Sequence, residues 1–421
     1  MNPAPAPFPT STADFATFAA TPIPEQRLAS LDALRGFDML WIVGGAAVVH
    51  ALHGLGNNSV TRCLDGQFEH VQWEGFHFYD LIYPLFLFLI GISIVLSLEK
   101  ALARGDRRSA LFRILRRSLT LYLLNFVYNG GFSYRWPDMR VVSGVLAMIA
   151  ASYLLGALLY LFFGRNLKGL ATITAALLLG NWAILGLIPF PDFKLEGKTV
   201  ATLAAQAGSR DPSAISALVK QRTHGTYEEA HNLSNYLDYR YIPGKKVAGF
   251  YENQGLLSPL TSVTLCLAGI FAARLLLAPR PSPHRKVAWL AGVGLGAVLL
   301  GGLWGLELPI VKKLWTASFC LVTAGCSALL LAMFYLVVDV WKMQRWCRPL
   351  VWIGVNPITI YLLYELVGFS KIAERLVGGD VKAGLEHLSK GLGGLTVAAV
   401  SLALVLLLMR FLHQRRIFIR V

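Results

Sequence analysis

Charge is scarce in this chain, and cysteine is scarcer. Only 15% of its 421 residues are Asp, Glu, Lys or Arg, while 55% fall in the apolar set. A water-facing shell needs about a quarter of its residues charged, so a soluble globular domain is excluded. Disorder fails on the same apolar excess. Five cysteines are too few and too scattered to brace a disulfide framework. Also missing are a Gly-rich phosphate loop, a nucleophile-elbow serine, a 20–50-residue repeat, and a compact His pair with a third ligand nearby. The first 26 residues hold no Lys or Arg, which excludes a signal peptide of the usual form, and they read as a disordered tail.

What is present fits a membrane. The mean hydropathy of +0.54 and long apolar runs predict an all-α polytopic integral membrane protein, one transmembrane domain over residues 27–421. A span needs about 20 apolar residues. Ten runs qualify: Leu31–His53, Phe78–Leu98, Leu111–Val127, Val142–Phe163, Leu170–Leu187, Gly255–Leu277, Val287–Leu303, Trp315–Val340, Pro349–Val367 and Leu392–Leu412. Arg113, Arg116 and Arg117 interrupt the third. The net charge of +15 then marks inner loops rather than nucleic acid. Glu99–Arg117 alone holds seven Lys and Arg, and the alternation puts both termini in the cytoplasm by the positive-inside rule. The long segment 189–254 lies outside, with an amphipathic helix predicted around Val200–Val219 and a Tyr-rich stretch after it.

Ionisable groups inside spans are costly, so each is a functional candidate. Asp32 and Arg35 stand three apart and can pair on one helix face, flanked by Asp38. The outer segment Phe68–Asp80 packs His70, His77, Glu69, Glu74, Asp80 and several aromatics immediately before an apolar span. A positioned imidazole suits general-base or acyl-carrying work, and Glu69, Glu74 or Asp80 can orient it. The bland alternatives are a solvated loop histidine, and a His77–Asp80 pair that merely caps the next helix. In the ninth run, Asn356-Pro357 precedes Tyr361, Tyr364 and Glu365; proline removes an amide donor, so a polar cavity is expected there. A straight helix from Pro349 places Glu365 about 24 Å along, near the His70 loop.

Taken together, several stretches resemble one family. They are Arg27–Gly36, Phe68–Gly75, Asp80–Phe88, Asn232–Asp238, Asn253-Gln254-Gly255-Leu256-Leu257, Lys313–Ser318 and Gly354–Pro357. The chain resembles heparan-α-glucosaminide N-acetyltransferase and its bacterial relatives, without the lumenal N-terminal domain and extra first helix of the animal enzyme. The resemblance implies transfer of an acetyl group from cytosolic acetyl-CoA to a glucosamine-type amine across the membrane. It places the essential histidine on His70, on the periplasmic side of a bacterial inner membrane, and it favours a homodimer.

Within that reading, Arg35, Arg113, Arg116 and Arg117 are candidates for the coenzyme phosphates, since guanidinium groups grip phosphate in forks; topology determination is the plain alternative. Asn356 joins them as a cofactor candidate. Trp73 and Trp315 are candidates for stacking on a sugar ring, and Asn232, Asp238, Asn253, Ser318 and Glu365 complete the substrate-binding set. No metal is expected. Direct transfer and an acyl-histidine intermediate both remain open, as do an O-acyltransferase of a surface glycan and, in another class, a secondary transporter.

Overall fold

The computed structural model describes residues 28–418 apart from 57, 143 and 165. The tail at 1–26 and Arg27 therefore lie outside the described residues. Helices dominate, as they must where backbone polar groups have no water to bond. Among the described residues, eight helices are long and apolar enough to cross a membrane. These are α1 (Ala29–Leu55), α3 (Phe78–Ala103), α5 (Val145–Phe163), α6 (Leu167–Leu187), α10 (Ser258–Leu277), α11 (Pro283–Trp304), α12 (Ala317–Val340) and α17 (Leu392–Gln414). A short α2 (Ser59–Gln67) follows α1.

Two of the ten expected runs differ. The third forms α4 (Arg107–Tyr128), a 22-residue helix whose five arginines keep its mean hydropathy below that of the others. The ninth breaks into α13 (Arg348–Gly354) and α14 (Pro357–Val367), bent by 82°. Asn356 leaves helical geometry at φ −133°, ψ 50°, and Pro357 opens the new helix where its missing N–H is no loss. A straight ninth span is thus corrected to a broken one. The chain closes through α15 (Phe369–Val377) and α16 (Asp380–Leu388) before α17.

Helix α3 carries almost no amphipathic bias and is enclosed for most of its length, as an all-apolar helix should be. It lies against α10 at close range. A Cβ on Gly91 would strike the Cys266 carbonyl and one on Gly269 the Phe88 carbonyl, so small residues on both sides permit backbone contact. Helices α6, α11 and α17 are peripheral.

The segment after α6 folds into a small lobe with its own core of Phe193, Leu195, Val200, Ile215, Tyr239 and Tyr251. Two antiparallel pairs frame it: β1 (Phe190–Pro191) with β2 (Arg222–Thr223), and β3 (Tyr227–Glu228) with β4 (His231–Asn232). The helix expected around Val200–Val219 is two, α7 (Gly197–Ala207) and α8 (Pro212–Leu218). Gly208 turns left-handed at φ 62° and Asp211 caps a fresh start before Pro212. Helix α9 (Leu233–Tyr241) completes the lobe.

Candidate active site

The loop between α2 and α3 is tied down along its length. Phe68 is buried in an aromatic nest, 4.8 Å from Trp41 and 5.2 Å from Phe78 between ring centroids. Further on, Gly75 N–H donates to the Ile310 carbonyl at 2.9 Å, and Glu74 forms a bridge with Val311. His70 is thereby held above the first turn of α3. Its Nδ1 lies 2.8 Å from Asp80 Oδ1. An ionised carboxylate only accepts, so in the tautomer that bonds Asp80 the proton is on Nδ1 and the lone pair on Nε2. The imidazole remains 54% exposed while the Asp80 side chain is 1% exposed. The acid is buried and the base is accessible.

Asp80 is fully engaged. Its Oδ2 accepts the backbone N–H groups of Val71 at 3.3 Å and His77 at 3.1 Å. Lys312 Nζ approaches both Asp80 Oδ1 and His70 Nδ1 at 3.1 Å. Burial pushes the Lys312 ammonium below the ordinary lysine range, and Asp80 opposes that shift. The sequence reading missed Lys312. The neighbouring Lys313 was part of a recognised motif, but nothing local indicates that residue 312 crosses to residue 80.

Of the three carboxylates proposed to orient His70, the structure selects Asp80. Glu69 and Glu74 are exposed. The cap reading for His77 and Asp80 holds as well: Asp80 N–H donates to the His77 carbonyl while its carboxylate takes the His77 N–H. Asp80 thus fixes both the helix start and the imidazole.

A cavity of about 310 Å³ opens beside His70. Trp73, Tyr79, Tyr83, Tyr361, Asn253 and Gln254 line part of it. Trp73 is fixed by its indole N–H on the Tyr227 carbonyl at 2.7 Å, and Lys313 lies over its ring at 5.4 Å. Trp73 and Asn253 therefore line the same cavity as His70. Asp238 does not line the cavity but braces it: it is fully buried and accepts from Glu252 N–H at 3.3 Å and Leu256 N–H at 2.9 Å, on either side of Asn253. Burial, opposed by those two N–H groups, raises its pKa to about 7.

Four other expected substrate contacts are placed elsewhere. Trp315 is fully buried, edge-on to Tyr83 at 5.3 Å and Phe319 at 5.6 Å, so its faces are sealed in protein. Ser318 is equally buried and donates to the Pro309 carbonyl at 3.2 Å. Asn232 caps α9 and bonds Glu228 and Asn235 inside the lobe. Glu365 is exposed; after the 82° bend it is Ile358 and Tyr361 of α14 that face the cavity.

A second cavity of about 510 Å³ is walled by Asp32, Arg35, Ser93, Ser97 and Arg117 among others. Arg35 donates to Asp32 at 3.1 Å, as the spacing predicts, and to Ser93 Oγ at 2.7 Å. Arg117 packs over Tyr153 at 4.7 Å, and its Nε is buried with no hydrogen-bond partner among the described residues. The four-arginine cluster is corrected to two, because Arg113 and Arg116 lie on the exposed side of α4. Asn356 is buried beside this cavity and donates to the Ile417 carbonyl at 2.9 Å. Asp38, buried on α1, is without a hydrogen-bond partner among the described residues.

The two cavities are neighbours. Both include Phe86 and Ile358 in their walls. Along α3, Asp80 and Ser93 stand thirteen residues apart, about 20 Å, with Phe86 near the midpoint. Among the described residues no group of three or more His, Cys, Asp or Glu is arranged for a metal ion.

Residues 27–196 match a family model described as heparan-alpha-glucosaminide N-acetyltransferase, catalytic. The chain is similar to the human protein named heparan-alpha-glucosaminide N-acetyltransferase, 25% identical over 389 residues, covering 83% of this chain and 55% of that protein. The mouse protein of the same name is 24% identical over 435 residues, covering 94% and 61%. A Bacillus acidopullulyticus protein described as an uncharacterized 39.9 kDa protein in amylase 3'region is 30% identical over 105 residues, covering 25% and 28%. This chain spans 55% and 61% of the length of the two mammalian relatives.

Proposed function

These likenesses support a family-level assignment to the heparan-α-glucosaminide N-acetyltransferases, and from it we propose that the chain is a transmembrane acetyltransferase. It takes the acetyl group of acetyl-CoA at the Arg35 cavity and delivers it to an amino sugar at the His70 cavity. The observation that carries this reading is that a cavity with a free imidazole nitrogen and a cavity with two guanidinium groups share the walls Phe86 and Ile358.

The chemistry follows from the atoms. Arg35 and Arg117 offer charge-assisted donors to the phosphates of the coenzyme. The thioester end extends along α3 past Phe86 toward His70. The amine of the sugar, held against Trp73 and Tyr361, attacks the thioester carbonyl as His70 Nε2 takes its proton. The C–S bond then breaks and CoA leaves, with the proton restored to sulfur. Asp80 stabilises the imidazolium that forms in between, without itself accepting the proton. In the two-step version Nε2 attacks the thioester first and carries the acetyl group to the amine. The same side chains serve both routes. Exchange of labelled CoA into acetyl-CoA without acceptor separates them, because only the two-step route supports it.

The test is release of CoA thiol by purified protein given acetyl-CoA and a panel of amino sugars. We expect acceptor-dependent release from the parent, and a loss of about 10²- to 10⁴-fold in His70→Ala. Unchanged turnover in the variant removes His70 from the reaction.

A further inference from the structure

A third cavity, of about 460 Å³, lies on the other face of α5. Val145, Leu146 and Ile149 of that helix face the His70 cavity, while Ala147, Ala151 and Leu154 face the third one, where α4 supplies Leu115 and Leu119. The groove follows α5 from Ala147 to Leu154, seven residues or about 10 Å, a third of a hydrocarbon core about 30 Å thick. Its lining is mostly apolar, with Ser118, Tyr122 and Gln254 the polar exceptions, and the helix beside it presents an exposed apolar stripe: Phe112, Leu115, Leu119, Leu123 and Val127 are 49–67% exposed at three- and four-residue spacing. On a membrane helix such a stripe is solvated by lipid chains. Gln254 alone lines both the groove and the His70 cavity, at the threshold where α5 begins. It belongs to the segment that Asp238 clamps through residues 252 and 256.

From this we propose that the acceptor is membrane-anchored. It is an amino sugar on a hydrocarbon tail, the tail lying in the α4–α5 groove and the sugar reaching His70 past Gln254. This deepens the acetyltransferase reading and rests on it for the identity of the head group. A groove beside a lipid-facing stripe, sharing with the reactive cavity only the polar wall residue Gln254, matches an amphiphile with a single hydrophilic terminus. It delivers the amine from the side and leaves the passage along α3 to the thioester.

The experiment compares glucosamine with dodecyl glucosaminide as acceptors, using the full chain in nanodiscs with acetyl-CoA. Parent protein is expected to show a KM at least about tenfold lower for the dodecyl compound, the scale set by burying a few methylenes. Ala147→Phe and Ala151→Phe, which fill the groove, should abolish that advantage while leaving the kinetics with glucosamine unchanged. Equal KM values in the parent, or an advantage that survives in both variants, overturn the proposal.

A second readout needs no turnover. Dodecyl glucosaminide with a photoreactive tail should label α4 and α5 between residues 115 and 154 in the parent, and not in the filled variants. Labelling elsewhere, or labelling by a photoreactive phospholipid that dodecyl glucosaminide fails to displace, overturns it as annular lipid only. Absence of acetyl transfer to any acceptor, with tail labelling intact, counts against the acetyltransferase reading and not against the groove.

Discussion

The His70 cavity and the Arg35 cavity share two wall residues and the same central helix, yet they are built for opposite tasks. Around His70 the polar groups are few: Asp80 orients the imidazole and the start of α3, Lys312 balances Asp80, and rings of Trp73, Tyr79, Tyr83 and Tyr361 supply surface. Around Arg35 the chemistry is charge itself, two guanidinium groups with Asp32 and two serines. The first arrangement suits proton transfer and stacking, the second suits holding an anion still. A single active site rarely needs both kinds of wall at a separation of about 20 Å along one helix. The pairing makes sense for a substrate that is long, charged at one end and reactive at the other.

That contrast breaks most visibly at Asp80. Asp80→Asn should replace the carboxylate that holds the Nδ1 proton, permit the wrong imidazole tautomer, and lower kcat by about 10³- to 10⁴-fold with little change in the KM for acetyl-CoA. It also leaves the buried Lys312 ammonium without its counter-charge, so a fall in melting temperature is expected, measured by a thermal shift assay alongside steady-state kinetics. A variant in which KM rather than kcat carries the loss would mean that the two cavities are not divided by task.

The converse lies at the arginines. Arg117→Ala should raise the KM for acetyl-CoA about 10- to 100-fold, the scale of one or two charge-assisted hydrogen bonds, with kcat nearly preserved. Arg113→Ala, on the exposed side of the same helix, should stay within about twofold. Equal effects from the two substitutions would restore the four-arginine cluster that the sequence suggests and that the helix faces divide.

The smallest effect concerns the lobe that supports Asn253 and Gln254. Asp238, raised to about 7 by burial, keeps its proton in the folded lobe over a range where the unfolded chain has already released it, above its ordinary value of about 4. Folded stability from this group is therefore greatest below about pH 4, declines as pH rises to about 7, and is level above that. Hydrogen exchange of residues 193–251, corrected for intrinsic rates, should show protection falling between pH 5 and 7.5, and falling less in Asp238→Asn. Identical pH dependence in the two proteins would contradict this account of the clamp.

Much of the architecture was legible because a bilayer imposes it. Apolar runs of about 20 residues leave few alternatives, and eight of the ten are single helices long and apolar enough to cross. The break at Asn356-Pro357 announced itself as a proline and an amide in a greasy run, but its 82° angle depends on what α14 packs against. His70 and Asp80 stood ten residues apart in a loop dense with alternatives, so their partnership could be suspected while the choice over Glu69 and Glu74 could not. Lys312 reaches that pair from a point 232 residues beyond Asp80 in the chain, a contact with no local signature. Trp315 shows the opposite error. An interfacial tryptophan reads as a sugar platform until complete burial, with Tyr83 and Phe319 set edge-on to it, removes the ring from any ligand.

The proposed transfer from the Arg35 cavity to the His70 cavity is the central claim, and sidedness tests it most directly. In proteoliposomes with the protein in a single orientation, acetyl-CoA is confined to the compartment facing Arg35 and an amino sugar to the compartment facing His70. The account predicts CoA thiol appearing with the first and acetylated sugar with the second, both lost in His70→Ala. Transfer only when the two substrates share one compartment would contradict it.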